Sequence, residues 1–162
     1  MRRLATIGGY GFTADHFVEV LGKAGINALV DVRQRRGVRG PTYRFLNRRR
    51  LEALLREAGI AYIYVPELAP TSALRAVQAA ADAQELIRKR DRINLSPSFV
   101  DGYEKHVLKR FDLGSFLKKV EPFDAVALFC VEQLPSACHR SLAAHYIADH
   151  TSLDRGIEDL LP

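Results

Sequence analysis

The chain has 162 residues, a length typical of one compact domain. Its composition, with 48% hydrophobic residues, 27% charged residues and two cysteines, excludes a disordered chain and a disulfide scaffold. The formal net charge is +5, and no apolar run approaches the roughly 18–20 residues of a membrane helix, so we expect a cytoplasmic protein that does not enter a membrane.

Strand and helix patterns alternate in the first part of the chain. The short apolar run at residues 4–7 ends at glycines and predicts a buried strand. Thr13 is a favourable cap for a helix that ends at Gly25. The apolar, partly β-branched residues 26–32 predict a second strand, and the sequence Asp-Val-Arg lies at its end.

The positive charge of the chain comes from one segment, residues 33–50, which contains eight arginines and no acidic residue. Of the net +5, this segment supplies +8 and the rest of the chain −3. The arginines are Arg33, Arg35, Arg36, Arg39, Arg44, Arg48, Arg49 and Arg50. Arginine forks suit phosphate and carboxylate groups, which favours an anionic small molecule or a nucleic acid as the partner. A solvated basic loop without a specific ligand is the alternative interpretation.

The alternation continues to the end of the chain. Asn47 is predicted to cap a helix that ends at Gly59, and residues 60–65 to form a third strand. The continuous apolar run at residues 125–129 predicts a strand covered on both faces. Residues 151–162 form a weakly specified tail. Further helices are predicted from Thr71 to about residue 90, after Ser96 or Ser98, at residues 116–120 and at residues 135–149.

This alternation predicts a single three-layer α/β domain over residues 1–162, with a mainly parallel sheet of about four or five strands and helices on both faces. In such sheets, ligands bind beyond the carboxyl ends of the strands. Chemically distinctive residues lie at the predicted strand ends and open the last helix: Gly8, Gly9, Asp31, Arg33, Cys130, Glu132, Cys138, His139 and Arg140. We therefore expect one site at this edge of the sheet.

The strongest candidate site lies within residues 130–140, which contain two thiols, a carboxylate, an imidazole and a guanidinium. A helix start binds anions and lowers thiol pKa values, which favours Cys138 as a thiolate nucleophile beside His139. Glu132 is placed to orient His139 or to accept a substrate proton, and Arg140 to bind an anion. A structural interpretation also stays open, in which the cysteines are core residues and Glu132 pairs with Arg140.

Cys130 ends the fourth predicted strand and is the second thiol considered for catalysis. Together with Cys138 and His139 it would offer three zinc ligands, but their spacing does not match the usual zinc-binding pairs. No cofactor or metal is predicted, and zinc stays an alternative. A disulfide between the two cysteines is compatible with their spacing and would be regulatory in a reducing cell.

Other residues are candidates for substrate binding. The run Gly8-Gly9-Tyr10-Gly11 resembles the opening of a dinucleotide fingerprint, but the third glycine of that motif is missing, so no nicotinamide cofactor is predicted. Asp31 either accepts hydrogen bonds from the neighbouring loop or contacts a ligand. Tyr103 fits the apolar face of its helix, which favours a core position, and it is kept as a candidate ligand contact. The basic segment adds Arg33, Arg35 and Arg36.

One motif is specific enough to indicate a family: Cys130-x-Glu132-x2-Pro135-x2-Cys138-His139-Arg140. Weaker matches occur in the same order along the chain: Thr6-Ile7-Gly8, Asp31-Val32-Arg33, Phe45, Gly59-Ile60, Tyr62, Leu68 and Tyr103. On these residues the chain resembles the domain of unknown function 488 family over nearly its whole length. The resemblance implies an α/β domain with the Cys-His-Arg motif at its site, and it supplies no reaction.

The chain departs from that family pattern at three places. Leu68-Ala69-Pro70 stands where Leu-Gly-Gly is expected after the third strand. Arg35-Arg36-Gly37 occupies a loop that commonly carries a proline and a serine. The terminal strand associated with the family is not evident in residues 151–162.

Three functions are compatible with these observations. The first is an enzyme acting on a phosphate-bearing substrate, a nucleotide or nucleic acid, with Cys138, His139 and Glu132 as nucleophile or acid–base groups. The second is a non-catalytic nucleic-acid-binding module that uses residues 33–50. The third is a rhodanese-like sulfurtransferase, suggested by Asp-Val-Arg at a strand end, although the glutamate and proline after Cys130 suit a persulfide cradle poorly.

Overall fold

A sheet in which all neighbouring strands are parallel forms the centre of the fold, as the alternation of strands and helices predicts. The structure is a computed structural model and describes residues 1–88 and 91–162. Its five strands are β1 (Arg3–Ile7), β2 (Ala28–Asp31), β3 (Ala61–Tyr64), β4 (Ala125–Phe129) and β5 (Glu158–Leu160), in the spatial order β3-β2-β4-β1-β5.

Six α-helices of the described residues cover the two faces of the sheet. One face packs against α1 (Ala14–Lys23) and α2 (Arg48–Glu57). The other packs against α3 (Ser72–Gln84), α4 (Pro97–His106), α5 (Leu113–Val120) and α6 (His139–Asp149). None of the helices in these ranges is both long enough and apolar enough to span a membrane.

Each face of the sheet has its own hydrophobic core, because neighbouring residues of a strand point to opposite faces. Leu128 of β4 packs in the core that contains Tyr103, whereas Phe129 packs in the core that contains Phe17. Both faces of β4 are covered, which explains its unbroken apolar sequence.

Hydrogen bonds confirm three of the predicted helix caps. The capping side chains are Thr13, Thr71 and Ser96, and each accepts a bond from a backbone N–H in the first turn. Asn47 occupies the predicted N-cap position of α2, but its side chain makes no capping bond. Its Oδ1 instead accepts from the N–H of Val38 at 2.6 Å, which ties the basic segment to the start of α2.

The predicted start of the last helix, at residue 135, is wrong. Residues Pro135–Ala137 form a short 3-10 helix, and α6 begins at His139. The break occurs because Cys138 has an extended backbone, with φ −137° and ψ 136°. Cys138 therefore stands at the N-cap position of α6 and outside the helix itself.

Two other helix boundaries differ from the prediction. Helix α3 ends at Gln84, and the expected end near residue 90 lies outside the described residues. The short helix expected at residues 116–120 begins earlier, because Asp112 accepts a hydrogen bond from the N–H of Ser115 at 2.9 Å and caps α5.

The tail contains a strand that its sequence does not reveal. Within residues 151–162, β5 pairs in parallel with β1. The hydroxyl of Thr6 donates to a carboxylate oxygen of Asp159 at 2.6 Å. The structure therefore contains the terminal strand, which corrects the expectation drawn from residues 151–162.

Candidate active site

The carboxyl ends of β1, β2 and β4 meet at one edge of the sheet because β4 lies between the other two strands. Backbone hydrogen bonds join the segments beyond these strand ends. The N–H groups of Gly9 and Tyr10 donate to the carbonyl oxygen of Val131, and the N–H of Val32 donates to that of Phe129. The predicted common edge is therefore present.

A cavity of about 350 Å³ lies at this edge. Of the predicted site residues, six form part of its wall: Arg33, Arg35, Cys130, Glu132, Cys138 and His139. The others lie outside the wall: Gly8, Gly9, Asp31, Arg36, Tyr103 and Arg140. The structure thus brings the four candidate catalytic side chains together. Of the candidate substrate-binding residues, Arg33 and Arg35 lie in the cavity wall and the others lie outside it.

Glu132 joins the two thiols. Its Oε2 lies 3.0 Å from Sγ of Cys130 and 3.4 Å from Sγ of Cys138. All three residues are buried. In its protonated form the thiol of Cys138 donates to Oε2 of Glu132, and the negative charge of Glu132 opposes the ionisation of Cys138. Glu132 is therefore placed to take or give the thiol proton.

The two thiols differ in acidity. Burial opposes ionisation of Cys138, but a hydrogen bond from Cys130 and the neighbouring His139 outweigh it and lower the pKa of Cys138 to about 5. The hydrogen bond to Cys138, together with burial, raises the pKa of Cys130. The pair therefore holds one negative charge near neutral pH, on Cys138, while Cys130 keeps its proton.

His139 faces Cys138 with a defined nitrogen. Its Nε2 lies 3.2 Å from the carbonyl oxygen of Val32, and its Nδ1 lies 3.9 Å from Sγ of Cys138. Because a carbonyl only accepts, Nε2 carries a hydrogen and Nδ1 is left for the thiol. Burial lowers the pKa of His139, but the charge on Cys138 outweighs it and raises the pKa overall. A thiolate on Cys138 therefore favours the protonated form of His139.

Arg140 fixes the loop that carries Glu132. It is fully buried, and its guanidinium donates to the carbonyl oxygens of Glu132 and Gln133. Its Nε donates to the hydroxyl of Thr6 at 3.3 Å. These contacts hold residues 131–133 against β1 and direct the donors of Arg140 to the protein itself.

Gly8 lies against the same loop, where a Cβ would overlap the carbonyl oxygen of Glu132. We expect Gly8→Ala to lower the free energy of unfolding by about 1–3 kcal/mol, as overpacking does, in a urea titration. Gly22→Ala is the matched control, because a Cβ there has no atom within 4 Å. In the interior of α1 that change is expected to stabilise by up to about 1 kcal/mol. Equal stability of Gly8→Ala and the unmodified protein would contradict the close approach.

Asp31 and Arg33 form a buried ion pair, with Nη2 2.7 Å from Oδ2. Tyr62 also donates its hydroxyl to Oδ2 of Asp31, at 2.7 Å. These bonds match the interpretation in which Asp31 accepts from its neighbours. Arg36 packs over the ring of Tyr64, with its guanidinium carbon 3.8 Å from the ring centroid.

Tyr103 has the core position that its helix face favours, and its ring lies edge-on to His139 with centroids 5.7 Å apart. Its hydroxyl donates to the carbonyl oxygen of Leu68 at 2.6 Å. Tyr103→Phe leaves that acceptor without its donor and is expected to lower the free energy of unfolding by about 1 kcal/mol. Chemical denaturation checks this value, and an unchanged midpoint would contradict a contribution from the hydrogen bond.

Sequence reasoning missed five polar residues of the cavity wall: Gln34, Arg75, Gln78, Asp82 and Arg92. Arg75, Gln78 and Asp82 are spaced by three and four residues along α3, which places them on one helix face. That spacing is the signal that would have found them. Arg92 has no such signal, because it lies between α3 and α4 and its position depends on an ion pair with Asp82 at 2.9 Å.

The thiol cluster also has a donor set that suits a metal ion. The ligand atoms of Cys130, Cys138 and His139 lie within 4.8 Å of one another. Thiolate and imidazole are the ligands that zinc prefers, and Glu132 lies beside both sulfurs. The zinc alternative stays a prediction.

Fold and site together define a class: a parallel α/β domain with a buried Cys-Glu-Cys-His cluster at the carboxyl edge of its sheet. The family model described as domain of unknown function DUF488 matches residues 13–147 of the 162-residue chain. The chain belongs to this family, which confirms the resemblance found in its motifs. No curated protein and no solved structure matches it.

Proposed function

We propose that the protein is an enzyme that uses the Cys138 thiolate as a nucleophile on a small phosphate-bearing substrate. The observation that carries the proposal is the place of Cys138 in the cavity wall, with Nδ1 of His139 3.9 Å from its sulfur. A nucleophilic cysteine needs a neighbouring base or cation to form and hold the thiolate, and His139 serves as both. The four arginines of the same wall offer the positive charge that a phosphate requires.

The proposed reaction is hydrolysis in two steps. In the first, Sγ of Cys138 attacks phosphorus, an S–P bond forms and the bond from phosphorus to the ester oxygen breaks. The leaving oxygen takes a proton from Glu132. In the second, water attacks phosphorus and gives a proton to Glu132, while the S–P bond breaks. Inorganic phosphate leaves, and the thiolate is restored without any oxidant or reductant.

Two of these arginines, Arg33 and Arg75, are fixed in place by the protein. Arg33 is held by Asp31 at 2.7 Å, and Arg75 donates to the carbonyl oxygen of Pro70 at 2.6 Å. Donors that are already oriented stabilise the charge of a transferring phosphoryl group without reorganisation during the reaction. This arrangement supports phosphoryl transfer over a reaction on a neutral substrate.

Hydrolysis of an aryl phosphate tests the proposal. Cys138→Ser is expected to lower kcat/KM by at least about 1,000-fold, and Glu132→Gln by about 100-fold, since the first loses the nucleophile and the second the acid. His106→Ala is the control, because His106 is exposed on α4, and it is expected to leave turnover unchanged. Equal turnover in Cys138→Ser, or none by the unmodified protein on aryl and nucleoside phosphates, would contradict the proposal.

A second candidate function, a nucleic-acid-binding module, is favoured by the exposure of part of the basic segment. Its exposed arginines are Arg35, Arg39, Arg44, Arg48, Arg49 and Arg50. Phosphate contacts release counterions, so binding of a duplex oligonucleotide is expected to weaken steeply as salt rises. A mobility shift measured across salt concentrations checks this, and the absence of any shift at low salt would count against the module.

A further inference from the structure

A buried arginine outside the Cys-His-Arg motif lies in the wall of the cavity. The side chain of Arg92 is 8% exposed, and its Nη1 lies 2.9 Å from Oδ2 of Asp82. Its Nη2 donates to the carbonyl oxygen of Ala137 at 3.0 Å and lies 3.9 Å from Oε1 of Glu132. These contacts place the Arg92 guanidinium beside the carboxylate that joins the two thiols.

The Nε of Arg92 is buried and has no hydrogen-bond partner among the residues that the structure describes. Buried donors in native proteins are paired with few exceptions, because an unpaired N–H loses its bond to water. The other guanidinium nitrogens of Arg92 are fixed by Asp82 and Ala137, so Nε has little freedom to turn to a different acceptor. A ligand oxygen at Nε would satisfy this donor.

The charge of the wall indicates an anion as that ligand. The wall contains four arginines and two acidic residues. Asp82 is paired with Arg92 at 2.9 Å. Arg35 and Arg75 add positive charge to the wall.

The rest of the wall is apolar and limits the size of the ligand. Pro70, Ala79, Leu95 and Phe99 contribute to it. A volume of about 350 Å³ is at the low end for small-molecule pockets, which span about 300–1,000 Å³. The cavity therefore suits one phosphate ester of nucleotide size that carries a flat apolar group. Cys138 is 1% exposed and Cys130 is 4% exposed, so their sulfur atoms lie too deep for a duplex to reach.

We propose that Arg92 is a substrate-binding residue whose Nε–H donates to a phosphate oxygen of a nucleotide-sized phosphomonoester with a flat apolar group. The proposal rests on the proposed function and names its substrate class. The phosphate then lies between Arg92 and Cys138, and the apolar group lies along the wall formed by Pro70, Leu95 and Phe99.

Calorimetric titration with adenosine 5′-monophosphate tests this assignment. All proteins carry Cys138→Ser, so that hydrolysis contributes no heat. Arg92→Gln is expected to weaken binding at least tenfold, and Arg92→Lys, which keeps the charge but lacks the Nε donor, severalfold. Arg88→Gln is the matched control. Arg88 is exposed, pairs with Asp91 and lies in the same connection between α3 and α4, but outside the cavity wall. The Arg88→Gln protein is therefore expected to bind adenosine 5′-monophosphate with the affinity of the parent.

Two further ligands test the size and the apolar contact. Ribose 5-phosphate, which lacks the base, is expected to bind less tightly than adenosine 5′-monophosphate, and a duplex oligonucleotide is expected not to compete for the cavity. Parental affinity in Arg92→Gln, equal affinity for the two phosphates, or competition by the duplex would each overturn the assignment. If Arg92→Gln does not fold, as circular dichroism would show, Arg92→Lys decides by the same criteria.

The two proposals fail in different ways. Binding that depends on Arg92, combined with aryl phosphate turnover that does not depend on Cys138, would overturn the proposed function and leave the ligand site standing. Turnover that depends on Cys138, combined with adenosine 5′-monophosphate binding that does not depend on Arg92, would overturn the Arg92 ligand site and leave the proposed function standing.

Discussion

Alkylation of Cys138 is expected to stay fast well into the acid range. Burial opposes ionisation, but the hydrogen bond from Cys130 and the neighbouring His139 lower the pKa of Cys138 to about 5. The thiolate is the reacting species, so the rate is near its maximum at neutral pH and falls as the pH drops through about 5. A free cysteine, with a pKa of about 8.5, would instead lose most of its rate below pH 8 or so.

Iodoacetamide pulses across the range from about pH 4 to about pH 9, with mass spectrometry to locate the adduct, measure this profile. Cys130 is expected to be labelled more slowly, because its pKa is raised. His139→Gln removes the cation beside the thiolate and is expected to move the midpoint towards that of a free thiol. A rate that rises only above about pH 8, or faster labelling of Cys130, would contradict the assignment of the charge to Cys138.

The same reaction reports on the charge of the cavity. Iodoacetate carries the negative charge that iodoacetamide lacks, and four arginines lie in the wall. The ratio of the two rates is therefore expected to favour iodoacetate more strongly at Cys138 than it does with free cysteine. Arg75→Gln removes one of these charges and is expected to reduce that preference. An unchanged ratio would show that the arginines do not act on an anion at the sulfur.

The sequence predicts the buried strands of this fold well because their physical requirements are local. A strand with both faces covered is mostly apolar, as β4 is throughout, and this pattern is visible without knowledge of its neighbours. β5 lacks this pattern, because two of its three residues are exposed. It is held by pairing with β1 and by the bond from Thr6 to Asp159, which no local pattern records.

The site likewise has a part that the sequence predicts and a part that depends on distant contacts. Residues 130–140 contain the thiols, Glu132 and His139 in one short stretch, so their proximity was predictable from the sequence. The role of a charged side chain depends on burial and on distant partners, which a motif does not contain. Arg92 is held at the cavity by its ion pair with Asp82 of α3. The Nη1 and Nη2 donors of Arg140, a residue of the motif, go instead to backbone carbonyl groups.

Arg140→Met is expected to lower the free energy of unfolding by about 3 kcal/mol. Methionine keeps an unbranched chain of similar length in this fully buried position, but it removes the donors that satisfy the carbonyl oxygens of Glu132 and Gln133. A hydrogen bond from a charged group contributes about 1.5–3 kcal/mol, and buried acceptors left unpaired add to the loss. Partial relaxation of the loop keeps the total below the sum of the separate bonds.

Thermal unfolding measures this effect, and a loss of about 3 kcal/mol corresponds to a midpoint lower by about 6–12 °C for a chain of this size. Arg110→Met is the matched control, because Arg110 is exposed, and it is expected to leave the midpoint unchanged. Since the loop that Arg140 fixes also carries Glu132, the folded Arg140→Met protein is expected to show a shifted pH midpoint for Cys138 alkylation. Lower stability with an unchanged alkylation profile would confine Arg140 to the fold, and unchanged stability would contradict its support of the loop.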